Sequence, residues 1–240
     1  MSNAIYVENL SKSYGGSRKK NNVQALHQVN LAIPKGQIVG LMGENGCGKT
    51  TLLKILAGAV LDYEGTVLLN TQRPGVLTKS RTSFLSDSLS VPNRLTGIQV
   101  AQMYQDFFSD FDQEKALEKL RYFGVPIDRA AATLSKGQVE KMQIAMAMSR
   151  KADLYLLDEP LSGVDPAARD QILHGILNDF NPESTMIIST HLIQDIEAIV
   201  SYAVFMNDGK IRLAGDADGL REKHGTGLDQ LFREMYKWTA

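Results

Sequence analysis

A chain of 240 residues with a single cysteine, Cys47, cannot form an internal disulfide, which fits a reducing compartment. It lacks an excess of either charge. With 26 Lys and Arg against 27 Asp and Glu, the net charge of −1 gives no basic footprint for nucleic acid. No apolar run approaches the ~20 residues of a membrane-spanning helix, so any membrane role is expected to come through a partner. The N-terminus has no charged segment leading into an apolar one, so no signal peptide is expected. Repeats and low-complexity segments are missing too. The basic triplet Arg18-Lys19-Lys20 sits among Gly and Asn residues and reads as a solvated hairpin tip; a phosphate or lipid-headgroup contact is the alternative. The length suffices for a full core and needs only one domain.

What is present is an alternation of short apolar runs and helical spacing. Ile5-Tyr6-Val7 predicts a short strand, and Val23 to Ile33 a second, after a turn around Gly15-Gly16. Pro34-Lys35-Gly36 is a turn, and Gln37 to Met42 has the composition of a buried strand. A Gly-rich loop follows, then helical spacing from Thr51 to Ala57, then strand candidates at Gly65–Leu69 and Thr82–Leu85. The middle is helical over Thr96–Phe108, Gln113–Phe123 and Gly137–Ser149. Strand–helix alternation resumes with strand Leu154–Leu157, helix Pro166–Leu177, strand Met186–Ser189, helix His191–Val200 and strand Ala203–Met206. The turn Asn207-Asp208-Gly209 leads to strand Lys210–Ala214 and a helical tail from Ala217. This order predicts an α/β fold with a parallel sheet flanked by helices, a smaller antiparallel sheet and an inserted helical block. The expected organisation is one domain, residues 1–240, with core and β subdomain over 1–86 and 151–240 and a helical subdomain over 87–150.

Gly43-Glu44-Asn45-Gly46-Cys47-Gly48-Lys49-Thr50, with Thr51 next to it, has the glycines, lysine and hydroxyl of a phosphate-binding loop. Glycines let successive N–H groups turn inward, and the following helix adds the positive end of its dipole. Lys49 is expected on the β- and γ-phosphates and the Thr50 hydroxyl on Mg²⁺. The buried strand Leu154–Leu157 ends in Asp158, placed to hold Mg²⁺ through water, and Glu159, the natural base for an attacking water. A solvated strand end is the plainer alternative. His191 follows the strand Ile187-Ile188-Ser189 and is expected to begin a helix at the carboxyl end of the sheet, where it could donate to a γ-phosphate or to water. Leu134-Ser135-Lys136-Gly137-Gln138, a Ser/Gly turn opening a helix just upstream of the acidic strand, suggests a phosphate contact made to another copy of the chain. Cys47 lies near a helix N-terminus, which can lower a thiol pKa; the alternative is a small residue that merely fits the loop.

Together these motifs resemble the ATP-binding subunit of an ABC transporter, in the family's order and spacing from Tyr14 to about Ala214. The resemblance implies a P-loop NTPase core, with Gly43–Thr50 as Walker A, Leu154–Asp158 as Walker B and Glu159 as the catalytic glutamate. It implies that Leu134–Gln138 is the signature motif, Ser162-Gly163-Val164-Asp165 the D-loop, His191 the switch histidine and Tyr14 the ring that stacks on adenine. ATP and Mg²⁺ are the implied cofactors. The implied partners are a second ATP-binding subunit, in a homodimer or heterodimer, and integral membrane transporter subunits at the cytoplasmic face of the membrane. Ser135, Gly137 and Gln138 of one subunit would meet the nucleotide held by the other. Two positions depart from the family: Asp87 stands where a Gln is usual, which leaves its Mg²⁺-facing role open, and Lys136 replaces a Gly and is expected to point to solvent.

The insertion has no long heptad run, which argues against a coiled-coil-arm ATPase of chromosome maintenance or repair. Phe84-Leu85-Ser86-Asp87, Pro92-Asn93-Arg94-Leu95-Thr96 and the tail Leu228–Phe232 resemble stand-alone ATPases of bacterial exporters. A soluble ABC-type ATPase of a cytosolic assembly complex would carry the same motifs. A P-loop kinase would leave Leu134–Gln138 and His191 unexplained.

Overall fold

The computed structural model describes residues 3–15, 23–86 and 91–237, with residues 236 and 237 described by backbone alone. Strands β1 (Asn3–Tyr14) and β2 (Val23–Pro34) pair antiparallel, and β3 (Ile38–Met42) follows the turn at Gly36. Next come α1 (Lys49–Leu56), β4 (Glu64–Leu69), α2 (Val76–Ser80) and β5 (Thr82–Leu85). Helices α3 (Gly97–Phe107), α4 (Gln113–Tyr122) and α5 (Lys136–Met148) fill the middle. The chain then runs through β6 (Leu154–Asp158), α6 (Pro166–Leu177), β7 (Thr185–Thr190), α7 (Ile193–Ile196), β8 (Tyr202–Asn207), β9 (Lys210–Asp216), α8 (Ala217–His224) and α9 (Leu228–Lys237).

The strands form two sheets. The smaller, of order β2-β1-β4, is antiparallel throughout; the larger, of order β5-β6-β7-β3-β8-β9, is parallel except at its edge strand β9. β6 and β7 are buried along their whole length, as strands covered on both faces must be. Their alternation divides the core. Leu154 and Leu156 face a cluster built with α1 and the antiparallel sheet, whereas Tyr155 and Leu157 face the helical block. Leu52, Leu53, Ile55 and Leu56 are all fully buried, so α1 is a core helix held between the two sheets.

The helical block occupies the crossover from β5 to its neighbour β6. Its helix starts are encoded locally: Thr96 with Gln99 and Ser135 with Gln138 form capping boxes, and Asp112 accepts from Lys115 N–H at 3.0 Å. Arg150 ties the block to the sheet. Its guanidinium makes a two-point contact with Asp110 at 2.9–3.1 Å and donates to the carbonyls of Ser80 (2.7 Å) and Thr82 (3.1 Å). It also lies 4.0 Å from the centre of the Phe108 ring.

Several expected elements differ. The first strand is 12 residues long, because pairing on both edges with β2 and β4 carries it past the local apolar signal of Ile5–Val7. The one-turn helix α2 had no periodicity to betray it. The helix expected from His191 to Val200 is reduced to Ile193–Ile196, and His191 does not begin it. Leu192 N–H donates to Thr190 Oγ1 at 2.9 Å, a side-chain turn that diverts the chain between strand and helix. Asp87 and Arg18-Lys19-Lys20 lie outside the described residues.

Candidate active site

The phosphate loop joins the carboxyl end of β3 to α1. Two of its glycines are demanded by geometry. Gly48 caps α1 at φ +106°, and a Cβ there would lie 2.6 Å from the Ala25 carbonyl oxygen and 2.8 Å from Met206 Cε. A Cβ on Gly43 would lie 2.5 Å from both Cys47 Sγ and the Met206 carbonyl oxygen. The loop is held from outside by the β8–β9 turn, where Gly209 N–H donates to the Cys47 carbonyl at 2.9 Å and the Gly209 carbonyl accepts from His27 N–H at 2.8 Å. Glu44, Asn45 and Gly46 are exposed at its tip, and Thr50 and Thr51 are half-buried in the first turn of α1.

Lys49 is folded into this loop. Its ammonium, on a side chain 5% exposed, donates to the carbonyls of Gly43 (2.7 Å) and Glu44 (3.1 Å). It also lies 3.2 Å from Glu159 Oε1. The other oxygen of that carboxylate, Oε2, is 2.9 Å from His191 Nδ1. A carboxylate only accepts, so Nδ1 bears the proton here, and Nε2 can donate only if the ring is an imidazolium. Lys49, Glu159 and His191 come from three separate segments and meet at one carboxylate.

Asp158 and Glu159 are set differently. Asp158, 1% exposed, ends β6 inside the ladder, opposite Ser189 of β7. The Ser189 hydroxyl donates to Asp158 Oδ1 at 2.7 Å and accepts from Glu159 N–H at 3.0 Å. Glu159 leaves the strand with φ +48°, a left-handed conformation rare for a residue with a side chain. Sequence reasoning passed over Ser189; the available signal was a hydroxyl directly after the apolar run Met186–Ile188, two residues before His191.

Residues of the Ser/Gly turn open α5. Ser135, exposed, accepts from Gln138 N–H at 3.3 Å, and Gln138 Oε1 accepts from Ser135 N–H at 3.0 Å. Lys136 is 83% exposed and faces solvent, 3.8 Å from Glu140. A cavity of about 340 Å³ separates the first turns of α5 from the end of β6; Lys136, Glu140, Asp158, Glu159 and Ser162 are among its walls. Ser135 and Gly137 are not among its walls, although Lys136 between them is, and a Cβ on Gly137 would lie 3.7 Å from the Gly163 carbonyl oxygen. In the segment after β6, Asp165 accepts from Ala168 N–H to cap α6 at 3.1 Å. Arg169 joins this segment to α7 by donating to the Val164 carbonyl (3.2 Å) and to Asp195 (2.8 Å). Tyr14 closes β1, 42% exposed, with the Lys12 ammonium 5.0 Å from its ring centre.

Burial pushes the Cys47 thiol up, against the opposing pull of Lys49, which favours the reading of Cys47 as a small residue that fits the loop. The fit to a divalent cation can be tested at Asp158. Its Oδ2 is buried and without a hydrogen-bond partner, whereas Oδ1 is satisfied. A hard cation accepts such an oxygen. Among the described residues no three His, Cys, Asp or Glu side chains cluster as a metal site, so a cation here would draw its remaining ligands from hydroxyl, water and phosphate oxygens. No described helix is long and apolar enough to cross a membrane.

The chain is 30% identical over 233 residues to the "Tungstate uptake system ATP-binding protein TupC" of Peptoclostridium acidaminophilum, covering 90% of this chain and 98% of that one. It is 28% identical to the "ABC transporter ATP-binding protein YtrB" of Bacillus subtilis, covering 92% of this chain and 74% of that one. Much longer relatives match in one segment only: the mouse "ABC-type organic anion transporter ABCA8B" is 28% identical over 93% of this chain and 14% of its own length. In fold, the chain superposes on an ATP-binding subunit of an ABC transporter with a TM-score of 0.79 (24% identity, 97% of this chain and 99% of that one). It superposes on a bacterial ABC transporter cassette solved as a dimer with a TM-score of 0.77 (22% identity, 88% and 98%). The family model described as "ABC transporter" matches residues 26–162, more than half of the chain, and the chain therefore belongs to the ABC transporter family as an ATP-binding subunit of the ATPase type.

Proposed function

We propose that this subunit powers a membrane transporter by closing on a second ATP-binding subunit around ATP and reopening after hydrolysis. The observation that carries the reading is the convergence of Lys49, Glu159 and His191, with Glu159 at 3.2 Å from one and 2.9 Å from the other. On this reading Lys49 and the loop Gly43–Thr51 bind the phosphates, Glu159 takes the proton of the attacking water, and His191 orients Glu159. Thr50 and Asp158 would hold Mg²⁺, which supplies charge neutralisation at the phosphates when bound. Ser135, Gly137 and Gln138, at the N-terminus of α5, would complete the phosphate site of the facing subunit. Tyr14 would stack on the adenine. Losing the γ-phosphate removes contacts that only the closed state makes, as a ligand-driven switch requires.

The division into a core with β subdomain (1–86 and 151–240) and a helical subdomain (87–150) is part of this proposal, the latter offering its surface to an integral membrane subunit. Export is the proposed direction, supported by the Phe84–Asp87 and Pro92–Thr96 segments. One relative is named for uptake, and on this reading the direction would be set by the membrane subunit. The test is the mass in solution of Glu159→Gln protein with and without ATP and Mg²⁺. Loss of a general base lowers hydrolysis roughly a hundred- to ten-thousand-fold, so ATP should convert monomer to dimer. A monomer with ATP demonstrably bound would overturn the homodimeric reading and leave closure to a different subunit.

A further inference from the structure

We infer that Ser189 is a positioning residue whose one hydroxyl sets both acidic residues of the site, presenting Asp158 to the cation and aiming Glu159 at the water. The inference rests on the proposed roles of Asp158 and Glu159. Ser189 is fully buried at the end of β7 and faces Asp158 across the parallel ladder. Its hydroxyl donates its only proton to Asp158 Oδ1 at 2.7 Å, which fixes the rotation of the carboxylate and leaves Oδ2, buried and unpartnered, as the oxygen available to a cation. The same oxygen accepts from Glu159 N–H at 3.0 Å. In a continuing strand that N–H would bond to the neighbouring strand's backbone. Here the hydroxyl satisfies it instead, which ends the ladder and sustains the left-handed turn at φ +48°. That turn swings the Glu159 side chain towards Lys49 and His191. Alanine would leave a buried N–H and a second carboxylate oxygen unsatisfied; apolar packing alone gives no reason for a hydroxyl at this place.

Partners that orient a metal-side carboxylate typically change metal affinity or activity 10- to 100-fold when removed. The test titrates Mg²⁺ into wild-type, Ser189→Ala, Ser189→Cys and Ser189→Thr proteins holding a fluorescent ATP analogue, and compares analogue affinity in EDTA. Asp158→Asn serves as the reference. The expected result is a Mg²⁺ half-saturation raised about tenfold or more in the Ala and Cys variants, near wild-type in Thr, with EDTA affinity unchanged in all. Hydrolysis should fall in the same two variants through kcat rather than KM. The binding readout needs no turnover, and the isosteric Cys separates the hydroxyl from volume should Thr fail to fold. A shift for Asp158→Asn without one for Ser189→Ala and Ser189→Cys would overturn the inference alone. No shift for Asp158→Asn would overturn the metal-side reading and the inference with it. Equal loss of affinity in EDTA would reduce Ser189 to a folding residue.

Discussion

Replacing Arg150 by Met tests how the helical block is fixed to the sheet. Met keeps most of the stem that packs near Phe108 but removes every donor. The Arg150 side chain is 4% exposed and Asp110 is 23% exposed. Breaking a buried pair by removing one partner costs about 3–5 kcal/mol; water reaching Asp110 places this one near about 3 kcal/mol. The Ser80 and Thr82 carbonyls, at 2.7 and 3.1 Å, lose a charged donor as well, which adds about 1 kcal/mol. A loss of about 4 kcal/mol lowers the Tm of a chain this size by about 8–16 °C. Urea unfolding of Arg150→Met, Asp110→Asn and the double variant should give a coupling energy of about 2 kcal/mol. A loss below about 1 kcal/mol, or coupling near zero, would refute the view of Arg150 as the tie between block and sheet.

Gly48→Ala places a Cβ 2.6 Å from the Ala25 carbonyl oxygen at φ +106°; equilibrium binding should show ATP affinity at least about tenfold weaker, and unchanged affinity would contradict the strained-loop argument. Ser135→Ala removes an N-cap worth about 1 kcal/mol; in a Glu159→Gln background, ATP should still bind the monomer, while light scattering shows no ATP-dependent dimer. Cys47, its thiol pushed above the ordinary 9.0 by burial, should react with iodoacetamide far more slowly at pH 7.5 than an unfolded chain does. The unfolded thiol ionises first, so this group costs the folded state stability as pH rises past 9.0, measurable as a falling urea midpoint.

Much of this molecule is legible in its sequence because the signals are local. The glycines of the phosphate loop, the apolar strand before Asp158 and the capping boxes at Thr96 and Ser135 each state their conformation within a few residues. What was hidden depends on partners distant in sequence. β1 extends to Tyr14 because β2 and β4 flank it, not because Glu8 to Ser13 read as a strand. The helix after His191 starts late, at Ile193, because of a hydroxyl turn at Thr190 that propensity does not register. Cys47 is legible as a neighbour of a helix N-terminus, but the burial that pushes its thiol up needs the third dimension. Ser189 escaped for the same reason: a serine in a strand gains meaning only from the Asp158 across the ladder.

On the proposed roles, the ion pair of Lys49 and Glu159 couples nucleotide binding to release of the base. At 3.2 Å and an effective dielectric of about 20, the attraction is about 5 kcal/mol before desolvation. A phosphate that draws Lys49 away must break this contact and release Glu159 from its ion pair. On that reading the phosphates and Glu159 compete for Lys49. Glu159→Gln removes the competitor without changing shape. If only a quarter of the attraction survives desolvation, about 1.3 kcal/mol, the variant should bind ATP about ninefold more tightly than wild type. His191→Ala, which leaves the Lys49 contact intact, should not show this gain. Equal affinity for wild type and Glu159→Gln would mean that Lys49 serves the phosphates while remaining paired, and the two events would have to be treated as independent.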